Sequence, residues 1–171
     1  MRPGRALLGA ALCGLSSCTD PTVPTGAPLL TDATVYTLDF DGRGYAGAIP
    51  YSFTNTTGGK VFIVNCHGSF ALHLERRQGD DWRMAWGPVL PLCLNAPIVI
   101  PEGKVFRDTV QVWGALPGAD FHPQFDVPDP AGVYRLVWSA ALSSYDPHAR
   151  PFGALIPEEF RISNTFELRV R

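Results

Sequence analysis

The stretch IPYSFTNTTGGKVFIVNC, Ile49 to Cys66, carries the reading of the fold. Two apolar runs flank Asn55-Thr-Thr-Gly-Gly59, a composition that turns a chain, so the stretch predicts a β-hairpin. Val61 to Val64 is apolar on both faces, the pattern of a central strand. Upstream, Tyr36, Leu38 and Phe40 alternate with Thr37, Asp39 and Asp41, and Gly42 closes the run. Downstream, Phe70, Leu72 and Leu74 alternate with Ala71, His73 and Glu75. Gln78-Gly-Asp-Asp81 then turns the chain into Trp82, Met84 and Trp86, three residues of one strand phase. Further strands are predicted at about 105–113, 134–140 and 165–170.

Beyond the first 17 residues no window shows a convincing helical stripe, and the chain's 16 prolines punctuate nearly every gap. Pro157-Glu-Glu-Phe160 alone suits a single helical turn. Seven or eight short strands at regular spacing predict an all-β chain folded as one antiparallel β-sandwich.

The beginning reads differently. Arg2 and Arg5 precede an apolar run from Ala6 to Leu15, which has the length of a signal-peptide core and is too short to span a bilayer. Leu15-Ser-Ser-Cys18 resembles the bacterial lipobox, in which a leucine lies three residues before an obligatory cysteine. The resemblance implies diacylglyceryl transfer to the Cys18 thiol, cleavage after Ser17, and acylation of the new amino group. Two or more acyl chains, palmitate among them, hold a protein on a membrane where one does not. The expected organisation is a signal peptide at 1–17, a lipidated tether at 18–30 and one domain at 31–171. Residues 19–30, TDPTVPTGAPLL, read as an extended spacer reaching ~40 Å at ~3.3 Å per residue. Thr19 after the lipid cysteine slightly favours the outer over the inner membrane of a bacterial envelope.

Removing residues 1–17 leaves 154 residues and moves the formal charge from −2 to −4, without a basic patch for nucleic acid. With Cys13 discarded and Cys18 acylated, Cys66 and Cys93 remain, and an exported domain most simply pairs them. The rival is a metal site using His67, which lacks a fourth ligand and any C-x-x-C pair. No cofactor or metal is expected.

Two further segments carry a fold-family resemblance. Ile98-Val-Ile-Pro-Glu-Gly103 looks like the turn feeding strand E of Ig-like and fibronectin-like domains. Pro130-Ala-Gly-Val-Tyr134-Arg-Leu-Val-Trp138 looks like the Gly-x-Tyr approach to strand F. Together they resemble bacterial Ig-like domains close to the intracellular proteinase inhibitor family. That resemblance implies a tyrosine hydroxyl bonded back to the corner backbone.

Gly68-Ser69-Phe70 lacks the second half of a G-x-S-x-G elbow. His67, His73, His122 and His148 share no ligand spacing, and His73 reads as a solvated surface residue. Asp39-Phe-Asp41-Gly42 lacks the later ligands of a calcium loop and reads as a turn. Adjacent Glu158 and Glu159 do not face each other across a cleft. The expected role is therefore binding or structural rather than catalytic. Two surfaces compete for it. Trp82 and Trp86, with Arg83 between them, could stack on sugars, or could simply line the core. The long connection Ser143 to Phe160 offers Tyr145, Arg150 and Phe152 to another envelope protein, or covers the sandwich edge. Protease inhibition and carbohydrate or peptidoglycan binding are the alternative functions.

Overall fold

The computed structural model describes residues 27–171; the expected signal peptide, Cys18 and most of the tether lie outside the described residues. The chain is all-β. Its strands are β1 (Leu29–Thr31), β2 (Val35–Phe40), β3 (Gly44–Thr54), β4 (Val61–Ile63), β5 (Asn65–Cys66), β6 (Ser69–Phe70) and β7 (Leu72–Gln78). β8 (Asp81–Trp86), β9 (Ile98–Ile100), β10 (Val105–Ala115), β11 (Gly132–Trp138), β12 (Ala141–Leu142) and β13 (Ile162–Val170) follow. The expected helical turn is a 3₁₀ turn at Glu158–Phe160.

One layer runs β1-β3-β10, the other β2-β13-β11-β7-β8. β2 joins them. Its first part pairs in parallel with β13 (Val35 opposite Glu167 to Leu38 opposite Val170), and its end pairs with β3 across the turn at Asp41. That turn is fixed by the Asp41 carboxylate, which accepts from the N–H groups of Arg43 and Gly44 at 2.8 and 2.9 Å. The same two bonds hold the Asp41 carboxyl below its usual range. Between the layers lie Leu38, Ile49, Tyr51, Phe53, Leu74, Tyr134, Leu136, Trp138 and Phe166, all buried. Phe53 and Tyr51 meet the Trp138 ring edge-on at 5.2 and 6.0 Å between centroids.

The Ile49–Cys66 stretch is not a hairpin. β3 pairs with β1, β2 and β10, whereas β4 is the middle strand of a separate sheet ordered β12-β4-β9. At Asn55 the chain leaves one sheet for another. The buried Asn55 amide donates to the carbonyls of Ile100 and Gly59 at 2.8 and 2.7 Å. Its oxygen accepts from the Thr57 N–H at 3.0 Å. An Asn-Thr-Thr-Gly-Gly segment can close a hairpin or turn a corner. Here the distant Ile100 carbonyl selects the corner.

The domain also begins earlier than expected. Leu29 and Leu30, assigned to the tether, form β1, with Leu29 buried in the core and Thr54 N–H donating to Pro28 O at 2.7 Å. An apolar pair at the end of a polar spacer is better buried than left in water.

The corner before β11 is built around Tyr134. Its hydroxyl donates to Pro130 O at 2.7 Å inside the core, and burial pushes the phenol above its ordinary range.

Candidate functional site

The segment from Met84 to Pro101 contains no Asp, Glu, Lys, Arg or His, yet much of it faces solvent. Leu92 and Leu94 are each 74% exposed and Val89 61%. Its two ends belong to β8 and β9, and between them Pro88, Pro91 and Pro97 keep residues 87–97 from pairing, so that part runs as an irregular strap. Cys93 in this strap is bonded to Cys66 of β5. Next to the disulfide, His67 Nδ1 lies 3.0 Å from Leu92 O; a carbonyl only accepts, so this nitrogen carries the proton. Two fasteners thus present three apolar side chains outward.

The strap lies at the end of the sandwich where the chain enters. Leu29 is opposite Phe53, whose ring packs on Trp138. Trp138 is opposite Leu72, and β5 and β6 lie immediately beyond Leu72. Lys60 and Lys104, both exposed, sit in turns at this end.

The connection after β12 packs beside the strap. Asp146 N–H donates to Phe152 O at 2.7 Å and Ser143 N–H to Ala154 O at 2.8 Å, which folds the loop back on itself. Tyr145 stacks between Phe62 and Phe152, with centroids 6.3 and 5.9 Å away. The Arg150 guanidinium lies 4.1 Å from the Phe152 ring centre and donates to Ala149 O at 2.7 Å. Tyr145 and Phe152 pack on the Val64, Cys66 and Leu142 cluster, so both are partly covering groups, while Arg150 is exposed. Val64, Leu142, Arg150, Phe152 and Leu155 line a cavity of about 300 Å³ there. The structure therefore brings Tyr145, Arg150 and Phe152 together with Cys66 and Cys93 at one end.

Trp82 and Trp86 are not brought together. A bulge at Ala85 separates the pair Glu75–Met84 from the pair Leu74–Trp86. The extra residue reverses the strand's phase, so Trp86 turns into the core, where its Nε1 donates to Trp113 O at 2.9 Å. Trp86 is 3% exposed and cannot stack on a ligand. Trp82 stays on the outer face, half-buried beneath Arg135, whose guanidinium carbon lies 4.6 Å from its ring centre.

That outer face holds a network that sequence reasoning missed. Ser139 Oγ is 2.7 Å from His73 Nδ1, and His73 Nε2 is 3.4 Å from Glu75 Oε1. The residue types are those of a nucleophile, a base and its orienting carboxylate. The carboxylate is committed elsewhere. Glu75 Oε2 binds Arg135 Nη2 at 2.6 Å and Nε at 2.7 Å, a far closer contact than the one to histidine. Arg135 takes up the Glu75 carboxylate, and the chain of bonds fixes the outer face of β7 and β11. The signal was the shared phase of His73 and Glu75; Ser139, 66 residues from His73, could be added only once β7 and β11 were in register.

Among the described residues no three His, Cys, Asp or Glu side chains converge as a metal site, and no helix is long and apolar enough to cross a membrane. Compared with known proteins, the chain matches no family model, no curated sequence and no solved structure.

Proposed function

We propose that this chain is a lipid-anchored bacterial envelope protein whose Ig-like domain acts by binding, not by catalysis. The strand order supports the Ig-like reading: two layers, an early strand, β2, shared between them, and a buried tyrosine bonded to its own corner. One observation carries the binding reading, the uncharged strap at 87–97 with Leu92 and Leu94 held outward by the Cys66–Cys93 bond. Contiguous exposed apolar surface of this kind marks an interaction site, and a disulfide lowers the entropy lost when the strap is ordered on a partner. The partner on this reading is another envelope protein, contacted by the strap together with Arg150 and Leu155 of the neighbouring loop. The tether at the same end keeps that surface close to the membrane.

The test is a photo-crosslinking amino acid placed at Leu92 of the full chain in living cells. The reading requires one saturating protein adduct that is lost in Leu94→Asp. Adducts to phospholipid alone, or none, would defeat it. Fatty-acid labelling that persists in Cys18→Ser would separately remove the anchor.

The strap also favours a second reading, protease inhibition. An exposed extended segment held by a disulfide is the form in which a chain can enter a protease cleft without being released as product. Leu92 or Leu94 would then occupy the specificity pocket. Stoichiometric inhibition of a protease with a preference for leucine or aromatic residues, abolished by Leu92→Asp or Leu94→Asp, would establish it. Glycan binding through Trp82 and Trp86 has lost its geometric basis.

A further inference from the structure

β10 is an edge strand over most of its length. Its eleven residues pair with β3 from Val105 opposite Thr54 to Ala115 opposite Gly44, without a register shift. Which backbone groups point outward follows from β3's other neighbour. Thr54 N–H donates to Pro28 O, and Pro50 O accepts from Asp32 N–H, on the β1 side. Phe53, Tyr51 and Ile49 therefore turn towards β10, and their partners Phe106, Asp108 and Val110 carry that ladder. Arg107, Thr109 and Gln111 direct their N–H and C=O groups away from the sheet, and among the described residues no group is bonded to them. The same parity continues to Trp113 and Ala115, but there the edge is closed. Trp113 O accepts from Trp86 Nε1, and Ala115 pairs with Pro123 O and Phe125 N–H.

The gap is thus an unpaired run of about 13 Å, from residue 107 to residue 111. Edges are normally protected by bulges, prolines or shortness. β8, the other outer strand, is six residues long with a bulge at Ala85, and Ala85 O already accepts from Asp126 N–H. β10 has only the charges of Arg107 and Asp108. Alongside its open part lies a cavity of about 170 Å³ between the layers, lined by Phe70, Leu72, Trp86, Pro88 and Val110. A cavity near 150 Å³ admits one benzene-sized group. Asp108 lies at its margin, 3.5 Å from the Tyr51 hydroxyl, and disfavours an acidic side chain there.

We propose that an extended segment of a partner protein adds to β10 as a further strand at Arg107–Gln111. It places one apolar, non-acidic side chain in the cavity bordered by Phe70, Trp86 and Val110. Three residues with outward N–H and C=O groups dictate an extended backbone. A second copy of the chain fits less well, because its own Val110 is committed to its own core. This goes beyond the reading above and needs neither the anchor nor the strap.

The probe is a display library of random octapeptides, selected on the purified full chain after depletion on Thr109→Pro. Proline at 109 deletes one outward N–H and leaves the β3 ladder intact. The expected result is enrichment of alternating sequences with a recurrent apolar residue and no acidic neighbour. A synthesised winner should slow amide exchange at Arg107, Thr109 and Gln111 by roughly tenfold or more, and bind Thr109→Pro roughly tenfold more weakly. Methylating the peptide's alternate backbone nitrogens should abolish binding, an arm that stands even where Thr109→Pro folds poorly. The proposal is overturned by no enrichment, by protection elsewhere, by a methylated peptide that still binds, or by protection of the three amides that rises with protein concentration alone. That last result would assign the edge to a second copy.

Discussion

Replacing Asn55 by alanine tests whether the corner between the sheets depends on one side chain. Four hydrogen bonds vanish: two donated, to Ile100 O and Gly59 O, and two accepted, from the N–H and hydroxyl of Thr57. The Ile100 carbonyl is the costly one, because its bond is buried and water cannot replace the donor. An unmet buried acceptor costs about 1–3 kcal/mol, and the three better-solvated bonds about 0.5 kcal/mol each, giving about 3.5 kcal/mol in all. For a domain of this size that lowers the melting midpoint by about 10 °C. Urea unfolding of parent and variant, compared at equal m-value, measures it. Asn55→Asp sharpens the test, because it aims a carboxylate at two carbonyl oxygens. Its folded pKa is then raised, so its deficit is smallest below the unfolded value of about 3.9 and grows as pH rises through the folded one. A loss under about 0.5 kcal/mol for Asn55→Ala would refute the account, since that is the scatter of ordinary surface changes.

Three other outcomes are expected. Tyr51 and Tyr134 both carry phenols pushed up by burial, so their stability contribution is intact below about pH 10 and falls above it. The loss is about 2.7 kcal/mol per pH unit while both must ionise on unfolding, and alkaline melts of Tyr134→Phe should show about half that slope. Breaking the bond between Cys66 and Cys93, 27 residues apart, with Cys66→Ser/Cys93→Ser should cost roughly 3.5 kcal/mol by loop entropy, measured by denaturant midpoint. Leu92→Asp and Leu94→Asp should leave stability within about 0.5 kcal/mol while removing any strap-dependent binding, read by calorimetry and crosslinking.

Much of the framework was legible because alternation and burial coincide: Leu38 in β2, Leu72 and Leu74 in β7, and Tyr134 and Leu136 in β11 all point inward as their phase requires. What escaped depends on contacts far apart in sequence. The Asn55 segment has turn composition whichever way it turns, and Ile100, 45 residues away, decides. Trp82, Met84 and Trp86 share a phase until a single bulged residue at Ala85 divides them. The strap has no strand alternation to mark it. Its signal was the joint absence of charge and recurrence of proline, which leaves apolar residues with no strand to belong to. Tyr145 and Phe152 were recognisable as a pair, but their stacking on Phe62 requires β4 to lie beside that loop.

The parallel pairing of β2 with β13 has a mechanical consequence. A pull between the two termini would first load β1, paired with β3 and β13, and then slide β2 past β13, so the ladder from Val35–Glu167 to Leu38–Val170 would be loaded all at once rather than opened bond by bond. A pull between the amino terminus and the strap would act on two points at the same end of the sandwich and spare that ladder. The direction of load, as much as its size, therefore governs which part of this domain yields first.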